Sequence, residues 1–249
     1  MASLHEITRY CEDLLQSGAF NDYCPNGLQV QGVPEVERIV SGVTASQALI
    51  DAAITYDADL ILVHHGYFWK GEDPRITGMK HRRIAALIRH DISLLAYHLP
   101  LDAHGELGNN TELGRVLGFE VDGPLNQENI GLLGHLAAPL SLEELGRHVE
   151  QRLGRNPQLI SAGDWPVERI GWCTGAAQSY LEQAAVAGMD AFLSGEISEQ
   201  TVHVARELGI HYIAAGHHAT ERYGVQALGE KLASEFSLQH HFVDIPNPV

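Results

Sequence analysis

Three separated stretches of the chain carry side chains suited to holding metal. They are His64-His65-Gly66, His98-Leu-Pro-Leu-Asp102 and His217-His-Ala-Thr-Glu221. Each follows a short apolar run that reads as a strand, at residues 60–63, 92–96 and 212–215. Imidazole and carboxylate donors suit divalent cations, and open α/β sheets gather their ligands at the carboxyl ends of the strands. The expected chemistry is a metal site holding two ions.

Each motif also has a plainer reading. Adjacent side chains on a continuing strand face opposite ways, so His64 and His65 suit two ions only where the strand ends and runs into Gly66. Read alone, one core histidine and one loop histidine account for them equally well. His217 and Glu221 stand four apart at the start of a helix predicted over 219–232, where they could share a face or form an ordinary exposed pair. Asp102 follows Pro100 in a loop, a common place for a turn or cap residue. The site reading gains its weight from all three falling at strand ends.

Other chemistries find little support. The chain has no P-loop, no Gly-x-Gly-x-x-Gly and no Gly-x-Ser-x-Gly elbow, which removes the main signals for nucleotide cradles and serine hydrolases. Thr44-Ala-Ser-Gln47 reads as a capping box; a helix start of this kind can also hold an anion, but capping is the favoured role. Of the 15 histidines, His5, His81, His90, His148, His203, His240 and His241 lie in polar or amphipathic surroundings and read as solvated or capping, with His135 and His211 nearly as bland. Cys11, Cys24 and Cys173 are odd in number and form no CxxC pair. They fit reduced thiols in a cytoplasm better than a disulfide framework, and no base is visible to activate them.

These residues must be positioned by repeated strand–helix units. Setting Arg38 beside Arg169, an offset of 131, places Gln47 on Gln178, Ala53 on Ala184, Asp59 on Asp190 and Leu62 on Leu193. Both segments read as strand, turn, amphipathic helix and strand, followed by a second helix–strand step at 80–96 and 199–215. This predicts right-handed βαβ units and largely parallel sheets: two interlinked, pseudo-duplicated α/β domains. An extra loop in the first copy, between 67 and 79, shortens the offset to 119. His98 then falls on His217 and Asp102 on Glu221, while His64-His65 falls on Gly195-Glu196. Residues 4–20 read as an amphipathic helix, 110–117 as a short helix ended by Gly118, and Ser141-Leu-Glu-Glu144 as a capping box opening a helix to Leu153. The expected domains are 1–125 with 216–249, carrying most of the site, and 126–215.

Composition agrees with a folded domain pair. The 249 residues are 45% hydrophobic and 19% charged, ordinary for a globular protein able to bury a core. No apolar stretch of about 20 residues and no leader is visible, and a cytoplasmic location is expected. The net charge of −16 argues against a general nucleic-acid or anionic-membrane surface, although bound divalent ions can reverse the sign inside one pocket.

The motifs together resemble the dinuclear metal-centre family known as GTP cyclohydrolase 1 type 2 homologues, in particular its bacterial YbgI-like members. The resemblance runs through Asn26-Gly-Leu-Gln29, Ile61-Leu-Val-His-His-Gly66, Tyr97-His-Leu-Pro-Leu-Asp102, Ser194-Gly-Glu196, Gly216-His-His-Ala-Thr-Glu221 and Asp244-Ile-Pro-Asn-Pro248. It implies that His64, His65, Asp102, His217 and Glu221 are the metal ligands. It places His98 beside the metals as a weak ligand or proton carrier, and it implies a toroidal homohexamer.

Five protein ligands cannot saturate two ions that each take roughly four to six partners, so positions stay open for water and substrate. The resulting expectation is a metal-dependent hydrolase acting on a nucleotide-like substrate, with His98, or less favourably His218, transferring protons. A phosphoesterase for damaged nucleotides, or a metal-binding regulatory or scaffold protein without turnover, are the alternatives. Mixed histidine–carboxylate sites accept Zn, Mn, Fe or Ni, and the sequence does not choose among them.

Overall fold

A computed structural model describes all 249 residues. It divides into two compact units, one of Met1–Leu101 with Val225–Ile245, the other of Asp102–Gly224 with Pro246–Val249. The division differs from the one expected from sequence. The helix Asn109–Leu117 and the strand Glu120–Pro124 belong to the second unit, because Leu113 and Leu117 pack in its core and the strand pairs with Leu132–Leu140. Residues 216–224 also belong there. No helix is long and apolar enough to cross a membrane.

The first unit is built on a five-stranded sheet in the order Gln239–Phe242, Arg38–Thr44, Leu60–His65, Ser93–Ala96, Gly27–Val30. The first four strands are parallel and the last is antiparallel. Successive residues of Leu60–His65 serve opposite faces, as the two-residue period of a strand requires. Leu60 and Leu62 join Ile7, Cys11, Leu228 and Leu232, from the helices Leu4–Leu15 and Arg222–Phe236. Ile61 and Val63 join Leu49, Ile50, Ile84 and Leu87, from the helices Gln47–Thr55 and Gly78–Arg89. A sheet covered on both faces explains why its strands read as unbroken apolar runs.

The second unit holds a six-stranded sheet in the order Glu120–Pro124, Leu132–Leu140, Val167–Cys173, Ala191–Ser194, His211–Ala214, Gln158–Ile160. Only the three strands from Val167 to Ala214 are mutually parallel. The other pairings are antiparallel, so this sheet is mixed rather than largely parallel. One of these pairings has a local cause: Glu120–Pro124 and Leu132–Leu140 are joined by a short loop with no crossover helix, and such a link permits only antiparallel neighbours.

The internal repeat has a structural signature at the offset of 131. An Asp59 carboxylate oxygen accepts from the backbone N–H groups of Glu37 and Arg38 at 2.8 and 2.9 Å. Asp190 does the same for Glu168 and Arg169 at 3.0 and 2.8 Å. Beyond this point the repeat drifts by one residue from the expected register. Leu60 pairs with Ser93 and Ala191 with His211, which sets residue 93 against 211, an offset of 118 rather than 119. Gly216, at φ +101°, is the extra residue that restores His217 to the place of His98.

The remaining expectations differ mainly at element ends. The helix expected over 4–20 stops at Leu15, where Gln16 turns into the left-handed region. Ser46, not Thr44, caps the helix Gln47–Thr55, accepting from Leu49 N–H. Ser141 and Glu144 form the expected capping box. His217 opens a single turn, His217–Thr220, ahead of the long helix.

Candidate metal centre

In the first unit the strand Leu60–His65 ends with His64 fully buried and His65 partly exposed. His64 Nδ1 lies 2.9 Å from the Tyr97 carbonyl. The N–H therefore sits on Nδ1, which leaves the Nε2 lone pair as the donor toward a metal. His65 Nδ1 is 3.2 Å from Thr44 Oγ1. His98 follows the neighbouring strand, and donor nitrogens of His64, His65 and His98 all lie within 4.8 Å of one another.

The orientation of His98 is set by a residue that the sequence did not point to. Its Nδ1–H donates to Asp22 Oδ1 at 2.7 Å. Its backbone N–H donates to Asn26 Oδ1 at 2.8 Å, and Asn26 in turn donates to Asp22 Oδ2. Burial raises the Asp22 pKa, but the bonds from His98, Asn26 and Tyr23 N–H outweigh it and hold the carboxyl at about 2. Asn26 and Gln29 thereby gain roles, since Gln29 Oε1 accepts from Tyr67 N–H at 2.7 Å and fixes the turn after His65. The thiol of Cys24 lies near Asp22 and His98. Burial, with the Asp22 charge, pushes it up to about 12, so it stays protonated.

In the second unit Asp102 and Glu221 are both buried, and each offers an oxygen within 4.8 Å of the other. Asp102 Oδ1 accepts from Asn109 Nδ2 at 2.9 Å and from Thr174 Oγ1 at 3.3 Å. Asn109 is held by Gly224 N–H and Asn110 by Thr174 N–H. These two adjacent buried asparagines clamp Asp102, which ends the helical turn Leu99–Asp102 rather than lying in the loop expected from sequence.

His217 stands between two carboxylates. Its Nε2 is 3.1 Å from Glu221 Oε2 and its Nδ1–H donates to Glu196 Oε1 at 2.7 Å. Burial lowers its pKa, yet Glu221 and Glu196 together raise it to about 9. Glu196 is thus the orienting carboxylate that metal-binding histidines usually have on their second nitrogen. Its sequence signals were its position opposite His65 in the repeat and its place in the Ser194-Gly-Glu196 motif. His218, the second candidate proton carrier, is buried on the same short turn.

The chemistry of this donor set fits a cation. Two buried carboxylates this close repel one another unless a cation or a proton is shared. Gly175 provides the cradle: a side chain there would put Cβ 2.2 Å from Glu221 Oε1 and 3.3 Å from His217 Nε2, and its φ is +67°. Thr220 Oγ1 accepts from Gly175 N–H at 3.1 Å and locks that turn.

Histidines and carboxylates at the carboxyl ends of parallel strands, in two α/β units, define a protein with side-chain clusters that could hold metal ions. The chain belongs to the Duf34/NIF3 (NGG1p interacting factor 3) family, which it matches over residues 2–248. It is 60% identical over 249 residues to the GTP cyclohydrolase 1 type 2 homolog of Pseudomonas aeruginosa, covering 99% of this chain and 98% of that one. Among solved structures it is similar to protein ybgI, described as of unknown function, with a TM-score of 0.97, 50% identity and complete coverage of both chains. A protein from Thermus thermophilus shares the fold at a TM-score of 0.91 and 33% identity, again over both whole chains.

Proposed function

We propose that this chain is a hydrolase that works through two divalent ions held by His64, His65, Asp102, His217 and Glu221, and that it acts on a nucleotide-like substrate. The observation that carries the reading is the pair of buried carboxylates, Asp102 and Glu221, beside a histidine oriented by Glu196. Bound there, divalent ions would polarise the substrate and lower the pKa of water toward neutrality.

The chain's own residues supply the rest. Glu196 holds the His217 ring at Nδ1 and so presents Nε2 as a donor. Asn109 and Thr174 hold Asp102. His98, fixed through Nδ1 by Asp22, keeps Nε2 available to take or give a proton. The name borne by the relatives, GTP cyclohydrolase 1 type 2 homolog, supports a nucleotide, with a carbon of the purine ring as the attacked centre. The family resemblance also supports self-assembly into a ring of six copies, which native mass spectrometry would read directly.

The test is metal content per chain on protein purified without chelator, for wild type, His64→Ala and Glu221→Ala. About two ions in the wild type, and loss of metal in either variant with the fold intact, is the expected result. Unchanged metal content in both variants overturns the proposal. A panel of GTP, other nucleotides and generic phosphodiesters then reads the substrate class, and metal binding with no turnover anywhere would favour a non-catalytic role.

A further inference from the structure

The second unit contains a pocket of about 340 Å³ whose wall includes Asp102. Its volume lies at the small end of the range for small-molecule sites, roughly 300–1,000 Å³. Val121, Pro124 and Leu132 give it apolar sides, and Thr111 and Asn129 give it polar groups. None of the residues lining it is Lys, Arg or His, so no side chain of the lining pairs with a phosphate.

Two glycines on its lining are informative. A Cβ built on Gly105 or Gly123 meets nothing within 4 Å, and neither residue has a positive φ. Most other glycines of the chain are accounted for by a left-handed backbone or by a close neighbour, as at Gly175 and Gly195. At positions 105 and 123 neither cause operates, and what a missing side chain leaves there is the space of the pocket itself. The rim is firm on one side: Asn126 donates to Ile130 carbonyl at 2.7 Å and accepts from Ile130 N–H at 3.0 Å. That bridge ties the loop holding Asn129.

We propose that this pocket receives the uncharged heterocyclic ring of the substrate, with apolar faces on Val121 and Leu132 and ring heteroatoms facing Thr111 and Asn129. The inference rests on the hydrolase reading and adds to it which end of the substrate lies next to Asp102. The lining has no Lys, Arg or His side chain to pair with a phosphate, so the ring enters and the phosphates stay outside. Gly105 and Gly123 are then specificity residues, and a larger residue at either place shortens the pocket.

The experiment measures binding of guanosine, adenosine and uridine to metal-loaded protein by calorimetry, for wild type, Gly123→Phe, Gly105→Leu and Asn129→Gly. Inorganic tripolyphosphate binding and metal content are measured alongside. Asn129 has φ +58°, so glycine removes its amide without backbone strain. The expected result is binding of at least one nucleoside to wild type, weakened at least tenfold by Gly123→Phe or Gly105→Leu, with tripolyphosphate affinity and metal content unchanged. Equal nucleoside affinity in both folded glycine variants, or no nucleoside binding by metal-loaded wild type, overturns the proposal. Absence of metal from wild type fails the hydrolase reading instead, and the metal measurement separates the two failures.

Discussion

At the scale of single residues, the candidate ligands are oriented by neighbouring polar side chains. Glu196 is the clearest case, since it fixes the tautomer of His217 through Nδ1. Glu196→Gln is expected to weaken metal affinity by roughly 10–100-fold while thermal unfolding of the metal-free protein changes little; competition with a chromogenic chelator measures the affinity. Asp22 makes a pH-dependent contribution. Its carboxyl is held at about 2 in the folded chain against an ordinary 3.8, so the stability it supplies is present above pH 4 and is lost as pH falls through 2. Urea denaturation of metal-free wild type and Asp22→Asn should therefore show a gap of about 2 kcal/mol near neutrality that closes between pH 4 and pH 2. The candidate ligands were legible because their types stand out after apolar strands. Asp22 was not, because it meets His98 across 76 positions, and although Glu196 stands in the Ser194-Gly-Glu196 motif, its partnership with His217 across 21 positions is written in no local pattern.

At the scale of elements, the strands carrying the donors were readable from their apolar runs, and the helix Glu199–Leu208 falls where its periodicity places it. What misled was register and pairing. The offset between the repeats depends on Gly216, one residue that composition does not distinguish, and the antiparallel pairing of Glu120–Pro124 with Leu132–Leu140 depends on a loop rather than on strand character. The repeated aspartates give a test at this scale. Asp59→Ala and Asp190→Ala each remove an acceptor shared by two strand-edge N–H groups, and each should cost roughly 1–3 kcal/mol. Because the two residues belong to different units and share no partner, the costs should add within about 0.5 kcal/mol in the double variant if the chain unfolds as one. Chemical denaturation of all four proteins measures it.

At the scale of the whole chain, each unit closes its own core. Two apolar clusters sandwich each sheet, which is how a chain 19% charged with a net charge of −16 keeps its apolar strands covered. The division of donors follows the division of the fold: imidazoles His64, His65 and His98 on the first unit, and Asp102, His217 and Glu221 on the second. The repeat therefore did not copy a finished site. The structural aspartates recur at one offset and His98 and Asp102 correspond to His217 and Glu221, whereas His65 in one copy stands where Glu196 stands in the other.

The three cysteines offer a use unrelated to catalysis. Cys11 and Cys24 are buried in the first unit and Cys173 in the second, and burial, the largest cause in each case, pushes all three thiols above their ordinary pKa. An alkylating reagent should leave the native chain nearly untouched and modify each sulfur only when its surroundings open. Peptide-resolved mass spectrometry of the time course would then clock the opening of the two units separately, with the native cysteines as reporters and no engineered label.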